Sequence, residues 1–114
     1  MNIRSVTCFV NATHNQDQAG LIKTAGRLAQ ETRVALRSAG FPVQTARLAT
    51  QPLSHLPGAR LALGSALWAH CADAGFQYLS LGPVLADTQD ADLGLIDRIP
   101  QLINSTEAIF ASVL

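Results

Sequence analysis

Arg47 is the residue in this sequence best equipped to grip a ligand. A planar guanidinium can hold a carboxylate or phosphate through two parallel hydrogen bonds. Arg47 sits in a strand-like run, Val-Gln-Thr-Ala-Arg-Leu-Ala at residues 43–49, and polar residues close that run and its neighbours. Asn11, Thr13 and His14 follow the first run, Thr50 and Gln51 the second, and Gly82, Pro83 and Asp87 the third. In parallel α/β proteins ligands bind beyond the carboxyl ends of the strands. Arg47, Asn11, His14, Thr50, Gln51, Ser80 and Gly82 are therefore the candidate ligand-binding set, suited to a small polar or anionic metabolite. Each has a plainer reading. Arg47 can serve as a structural ion pair or loop anchor. His14, a general base by its near-neutral pKa, can equally be an exposed loop residue.

Other chemistries find less support. His55 and His70 have no partner at metal-ligand spacing, so no metal site is expected. Asp87, Asp90 and Asp92 lack the central glycine and closing glutamate of a calcium loop and read as caps and solvated positions. No glycine-rich phosphate loop or Gly-x-Ser-x-Gly elbow follows any strand, and Asn11-Ala12-Thr13-His14 has no glycine to admit a diphosphate. The residues name no cofactor and no catalytic group. Cys8 and Cys71 are far apart and show no Cys-x-x-Cys spacing, so two reduced thiols are expected.

These residues need elements to place them. Residues 3–10, 43–49, 76–81 and 108–114 read as strands, being rich in β-branched, aromatic and aliphatic residues. The second and third follow the same words, Ala39-Gly40-Phe41 and Ala74-Gly75-Phe76, which are 35 residues apart. A repeated helix-to-strand junction predicts a repeated helix–strand unit. Thr13 or Asn15 can cap a long first helix, whose buried stripe reads Leu21, Ala25, Leu28, Thr32, Ala35, Leu36 and Ala39. Gly40 is its C-terminal cap. A second helix spans about residues 59–74, and its low charge predicts burial on more than one side. A third spans about 93–105, with Asp90 or Asp92 as cap and a kink or fresh start at Pro100.

The order β-α-β-α-β-α-β predicts an α/β fold of four mainly parallel strands with three right-handed crossover helices on one face. Val6, Cys8, Val10, Ala46, Leu48, Leu79, Leu81, Ile109, Ala111 and Val113 form a wholly apolar strand set for that face. The other set, Ser5, Thr7, Phe9, Val43, Thr45, Arg47, Tyr78, Ser80, Phe110 and Ser112, carries a hydroxyl on every strand. Parallel sheets are normally covered on both faces, so this one reads as an arc of a larger α/β barrel lining a partly polar lumen.

Composition sets the outer bounds. One domain fits 114 residues, with 48% hydrophobic and only 14% charged. So little charge implies extra apolar surface covered by a second copy or by further chain. The formal charge is zero without a basic cluster, which argues against nucleic acid or an acidic membrane as partner. No signal-peptide pattern or 18-residue apolar run is present, and a cytoplasmic location is expected.

Four pieces resemble a known family: Met1 to Thr7 (MNIRSVT), Gly40 to Thr50 (GFPVQTARLAT), Tyr78 to Pro83 (YLSLGP) and Asn104 to Ser112 (NSTEAIFAS). They look like the N-terminal region of family 711 of the domains of unknown function. The resemblance spans the whole chain. It implies a fold similar to the ten-stranded α/β barrel of pyruvate formate-lyase and ribonucleotide reductase, with this chain as the N-terminal segment of a longer protein. It carries over no catalytic residues, and fold kinship does not transfer chemistry. The expected function is binding of, or catalysis on, a small polar or anionic metabolite. The alternative is a non-catalytic module that self-associates through its open sheet face or fourth strand.

Overall fold

The computed structural model describes residues 1–12, 17–56, 60–87 and 93–114, with residues 60–63 as backbone. Strand β1, Ile3–Val10, is followed by helix α1, Gln18–Ser38, strand β2, Val43–Pro52, helix α2, Arg60–Asp73, and strand β3, Tyr78–Gly82. Helix α3, Ile99–Asn104, and strand β4, Ile109–Phe110, complete the order. The four strands lie in the sequence β1-β2-β3-β4, and each neighbouring pair is parallel. The α/β arrangement with helices on one face is thus the observed one.

The two Ala-Gly-Phe junctions explain how the chain turns from helix to strand. Gly40 and Gly75 adopt φ of 91° and 89°, the left-handed region that an L side chain resists. The Phe41 N–H donates to Leu36 O at 2.8 Å, and the Phe76 N–H donates to Cys71 O at 3.0 Å. Both are the six-to-one bonds of a Schellman cap, each with an apolar residue just past the glycine. One local device therefore sets the entry of β2 and of β3.

The sheet buries its apolar set against the helices. Leu48, Leu67, Leu79 and Cys71 are fully buried, with Ile22, Leu81, Leu95, Leu102 and Ile109 around them. Helix α1 approaches closely because Gly26 lies against the end of α2: a Cβ there would meet Ala74 Cβ at 2.8 Å.

Several boundaries differ from expectation. The α1 cap is Asp17, whose carboxylate accepts from the Gly20 N–H at 3.0 Å. Thr13 and Asn15, like Asp90 and Asp92, lie outside the described residues. Helix α1 buries Ile22, Ala25, Gly26 and Ala29, whereas Leu28 and Ala35 are exposed. A single sheet face covers only a narrow arc of a helix, and none of the described residues covers that flank. From Gly64 onward, where its side chains are described, helix α2 is likewise buried on one side. Gly64, Leu67 and Cys71 face inward while Ser65, Ala66, Ala69, Ala72 and Asp73 are exposed, so mainly small residues form the outer side of this part. The third helical region is a 3₁₀ stretch, Leu93–Arg98, that passes into α3 near Pro100, which sits in the first turn where its missing N–H costs nothing. Strand β4 is only Ile109–Phe110, although Val84 and Val113 form a further parallel bridge beyond it.

Candidate functional site

Register puts the open face into rows. Thr7, Arg47 and Tyr78 are Cα partners across β1, β2 and β3, and the next row is Phe9, Ala49, Ser80 and Phe110. Arg47 alternates with the buried Ala46 and Leu48, so it rises from the face opposite the helices. Its guanidinium carbon lies 5.5 Å from the Tyr78 ring centroid. The Tyr78 ring in turn meets Phe110 edge-on, with centroids 5.5 Å apart and planes at 61°. A cation over an aromatic face gains about 0.5–1 kcal/mol at a partly exposed site, and this row orients the guanidinium.

Arg47 has no ion-pair partner among the described residues. Its Nε is buried and makes no hydrogen bond. A shielded guanidinium donor without a partner is costly, on the order of 1–3 kcal/mol. Tyr78 shields one side of the group, and no carboxylate among the described residues neutralises it. Arg47 can thus accept an anionic oxygen without first breaking a bond to the protein. The hydroxyl of Ser80 lies one row further along, while that of Thr45 is occupied, donating to Arg4 O at 3.0 Å.

The carboxyl ends of the strands are tied together by the other predicted residues. The Gln51 side-chain amide accepts from the Ala12 N–H at 2.9 Å and donates to Ala12 O at 2.7 Å. The Thr50 hydroxyl accepts from the Gly82 N–H at 3.1 Å and donates to Gln51 O at 3.1 Å. Here the β2–β3 ladder is irregular, between Ala49 and Pro52, and the hydroxyl stands in for a ladder carbonyl. Gly82 has no space for a Cβ, which would run into the Gln51 carbonyl. Thr50, Gln51 and Gly82 are therefore one knot that joins β1, β2 and β3. Asn11 is exposed beside it, and His14 lies outside the described residues. Arg47 and Ser80 are brought together on the open face, with the knot beyond them.

Tyr78 and Phe110 were not among the residues singled out as ligand-facing. Their alternation placed them on the open face, but only the register reveals that they stand beside Arg47. Gln77 is a second missed tie: its Oε1 accepts from the Ala46 N–H at 2.7 Å and closes the opposite end of the β2–β3 pairing.

Burial raises the Cys8 thiol above its ordinary pKa and pushes Cys71 up to about 12. Both are free, and neither is set up as a thiolate nucleophile. Among the described residues no three His, Cys, Asp or Glu side chains gather where they could hold a metal ion, and no helix is long and apolar enough to cross a membrane.

These features define an α/β protein whose parallel sheet, among the described residues, is covered on one face and carries an arginine without an ion-pair partner on the other. The chain belongs to the family described as Uncharacterised ACR (DUF711), whose model matches residues 1–114. No curated protein matches it.

Proposed function

We propose that the open face lines the lumen of a larger α/β barrel and binds a small metabolite through a carboxylate or phosphate group. Arg47 anchors the anion, Tyr78 holds the guanidinium in place, and Ser80 offers a hydroxyl to a neutral part of the ligand. Asn11 stands at the rim, and the Thr50–Gln51–Gly82 knot fixes the geometry. A barrel similar to that of pyruvate formate-lyase suits a parallel sheet of which the described residues cover one face only. The observation that carries the reading is the unpaired, aromatic-backed guanidinium on that face. The alternative, a module that self-associates through this face, draws on Phe9, which is 81% exposed there.

The test is thermal unfolding with a panel of small carboxylates and phosphates. A ligand present at about 100 times its Kd stabilises by about 2.7 kcal/mol. Wild type is expected to gain stability with at least one anion, and Arg47→Met to gain none. An anion that protects both proteins equally would refute the role of Arg47.

A further inference from the structure

We infer that the anion gripped by Arg47 carries a single aromatic ring, seated on Ala49 between Phe9 and Phe110. This seat rests on the anion-anchor reading of Arg47 and adds the chemistry of the ligand beyond its anionic group.

Register supplies the seat. Phe9, Ala49, Ser80 and Phe110 are Cα partners across the four strands, one row on from Arg47 and Tyr78. The alternation that lifts Arg47 off the sheet lifts these four from the same face. Two of them are large and two are small. Phe9 and Phe110 are exposed, whereas Ala49 is only 7% exposed and Ser80 is half-buried. Adjacent strands lie about 4.8 Å apart, so the two phenylalanine columns stand about 14 Å apart with a low floor between them. A ring placed midway is about 7 Å from either column. That matches the outer reach of an aromatic pair, whose centroids lie ~4.5–7 Å apart.

The floor is bounded on its other two sides as well. Arg47 and Tyr78 stand in the row before it, and Tyr78 meets Phe110 edge-on, so that wall is aromatic too. Beyond the floor the Gln51 amide is already committed to the Ala12 backbone. Three of the chain's six aromatic residues (four Phe, one Trp, one Tyr) thus gather on this face around one cation. A bare anion would use the cation and leave Phe9 uncovered. A flexible aliphatic chain would cover Phe9 but lose rotational freedom on doing so. A ring is rigid, and it can meet the phenyl groups edge-on or offset, as their quadrupoles favour.

The experiment is an NMR titration of the chain with acetate, hexanoate and phenylacetate, and with inorganic phosphate and phenyl phosphate. Covering one side of a ring corresponds to at least about tenfold in Kd. At least one ring-bearing anion is therefore expected to bind about tenfold or more tighter than its ringless counterpart, and tighter than hexanoate. Phe9→Ser, at an exposed position, is expected to remove that advantage and leave the ringless anion unchanged, while Phe9→Tyr keeps it. Arg47→Met is expected to abolish binding of them all. Ringless anions or hexanoate binding as tightly as the ring-bearing ones, or a Phe9→Ser variant that keeps the preference, would overturn the ring seat and leave the anchor standing. Binding of no anion to wild type, or binding unchanged by Arg47→Met, would instead overturn the anchor and the seat with it.

Discussion

Replacing Gln51 by alanine tests how the rim of the sheet is held. The Gln51 amide makes two hydrogen bonds to one residue, Ala12, which is 1% exposed and lies 39 positions away in the chain. Truncation removes both and leaves the Ala12 N–H and C=O without partners. An unsatisfied buried backbone group costs about 1–3 kcal/mol. Partial access of water to this half-buried pair puts each group near the lower part of that range, about 2–4 kcal/mol in all. For a domain of this size 1 kcal/mol corresponds to roughly 4–8 °C in Tm, so a fall of about 10–20 °C is expected in calorimetry.

Gln51→Glu separates the two bonds. A carboxylate can accept from the Ala12 N–H but cannot donate to Ala12 O, whereas the protonated acid can do both. The folded state then favours the protonated form and raises the pKa of the introduced carboxyl above its unfolded value. The stabilisation from this group is fully present below the unfolded pKa and is lost as pH rises through the folded one. Relative to wild type, the Gln51→Glu variant should therefore recover stability as pH falls towards about 4. Gln51→Ala with an unchanged Tm, or Gln51→Glu with the opposite pH trend, would refute the tie.

Leu67→Ala removes a fully buried side chain at the centre of the helix–sheet interface and should cost about 2–5 kcal/mol in chemical denaturation. Gly26→Val should also destabilise, because any Cβ there already crowds Ala74; a wild-type denaturation midpoint would show that the close approach of α1 and α2 is not required. Cys71 should make folding sensitive to alkali. Its folded pKa is raised to about 12, so the neutral thiol favours the fold fully below the unfolded value. That contribution is lost as pH climbs from about 8.5 towards 12, where the unfolded chain ionises first. Cys71→Ala should flatten this part of the stability–pH curve, and an unaltered alkaline slope would exclude the thiol as its source.

The architecture was legible in the sequence because its signals are local. Strand alternation at Val6-Cys8-Val10 and Ala46-Leu48 marks one face, and Ala-Gly-Phe marks two junctions whose glycines must take positive φ. The width of the buried arc on α1 was not legible: Leu28 and Ala35 match the apolar period but face outward, since none of the described residues beyond β1 covers them. The shortness of β4 and the 3₁₀ entry to α3 depend on packing rather than composition. Of the candidate site, Arg47 was readable from its type and alternation. The knot was not, because a glutamine that bonds a backbone 39 residues away leaves no spacing to find. The aromatic row beside Arg47 needs the register of three strands, which becomes known only when they pair.

If the unpaired guanidinium on the bare face is a ligand anchor, an NMR titration of the chain with inorganic phosphate and with a small dicarboxylate tests it most directly. Shifts are expected to concentrate on Arg47, Tyr78, Ser80 and their strand neighbours, and to vanish in Arg47→Met. Shifts confined to the cleft between α1 and α2, or a titration unchanged by Arg47→Met, would contradict the anchor.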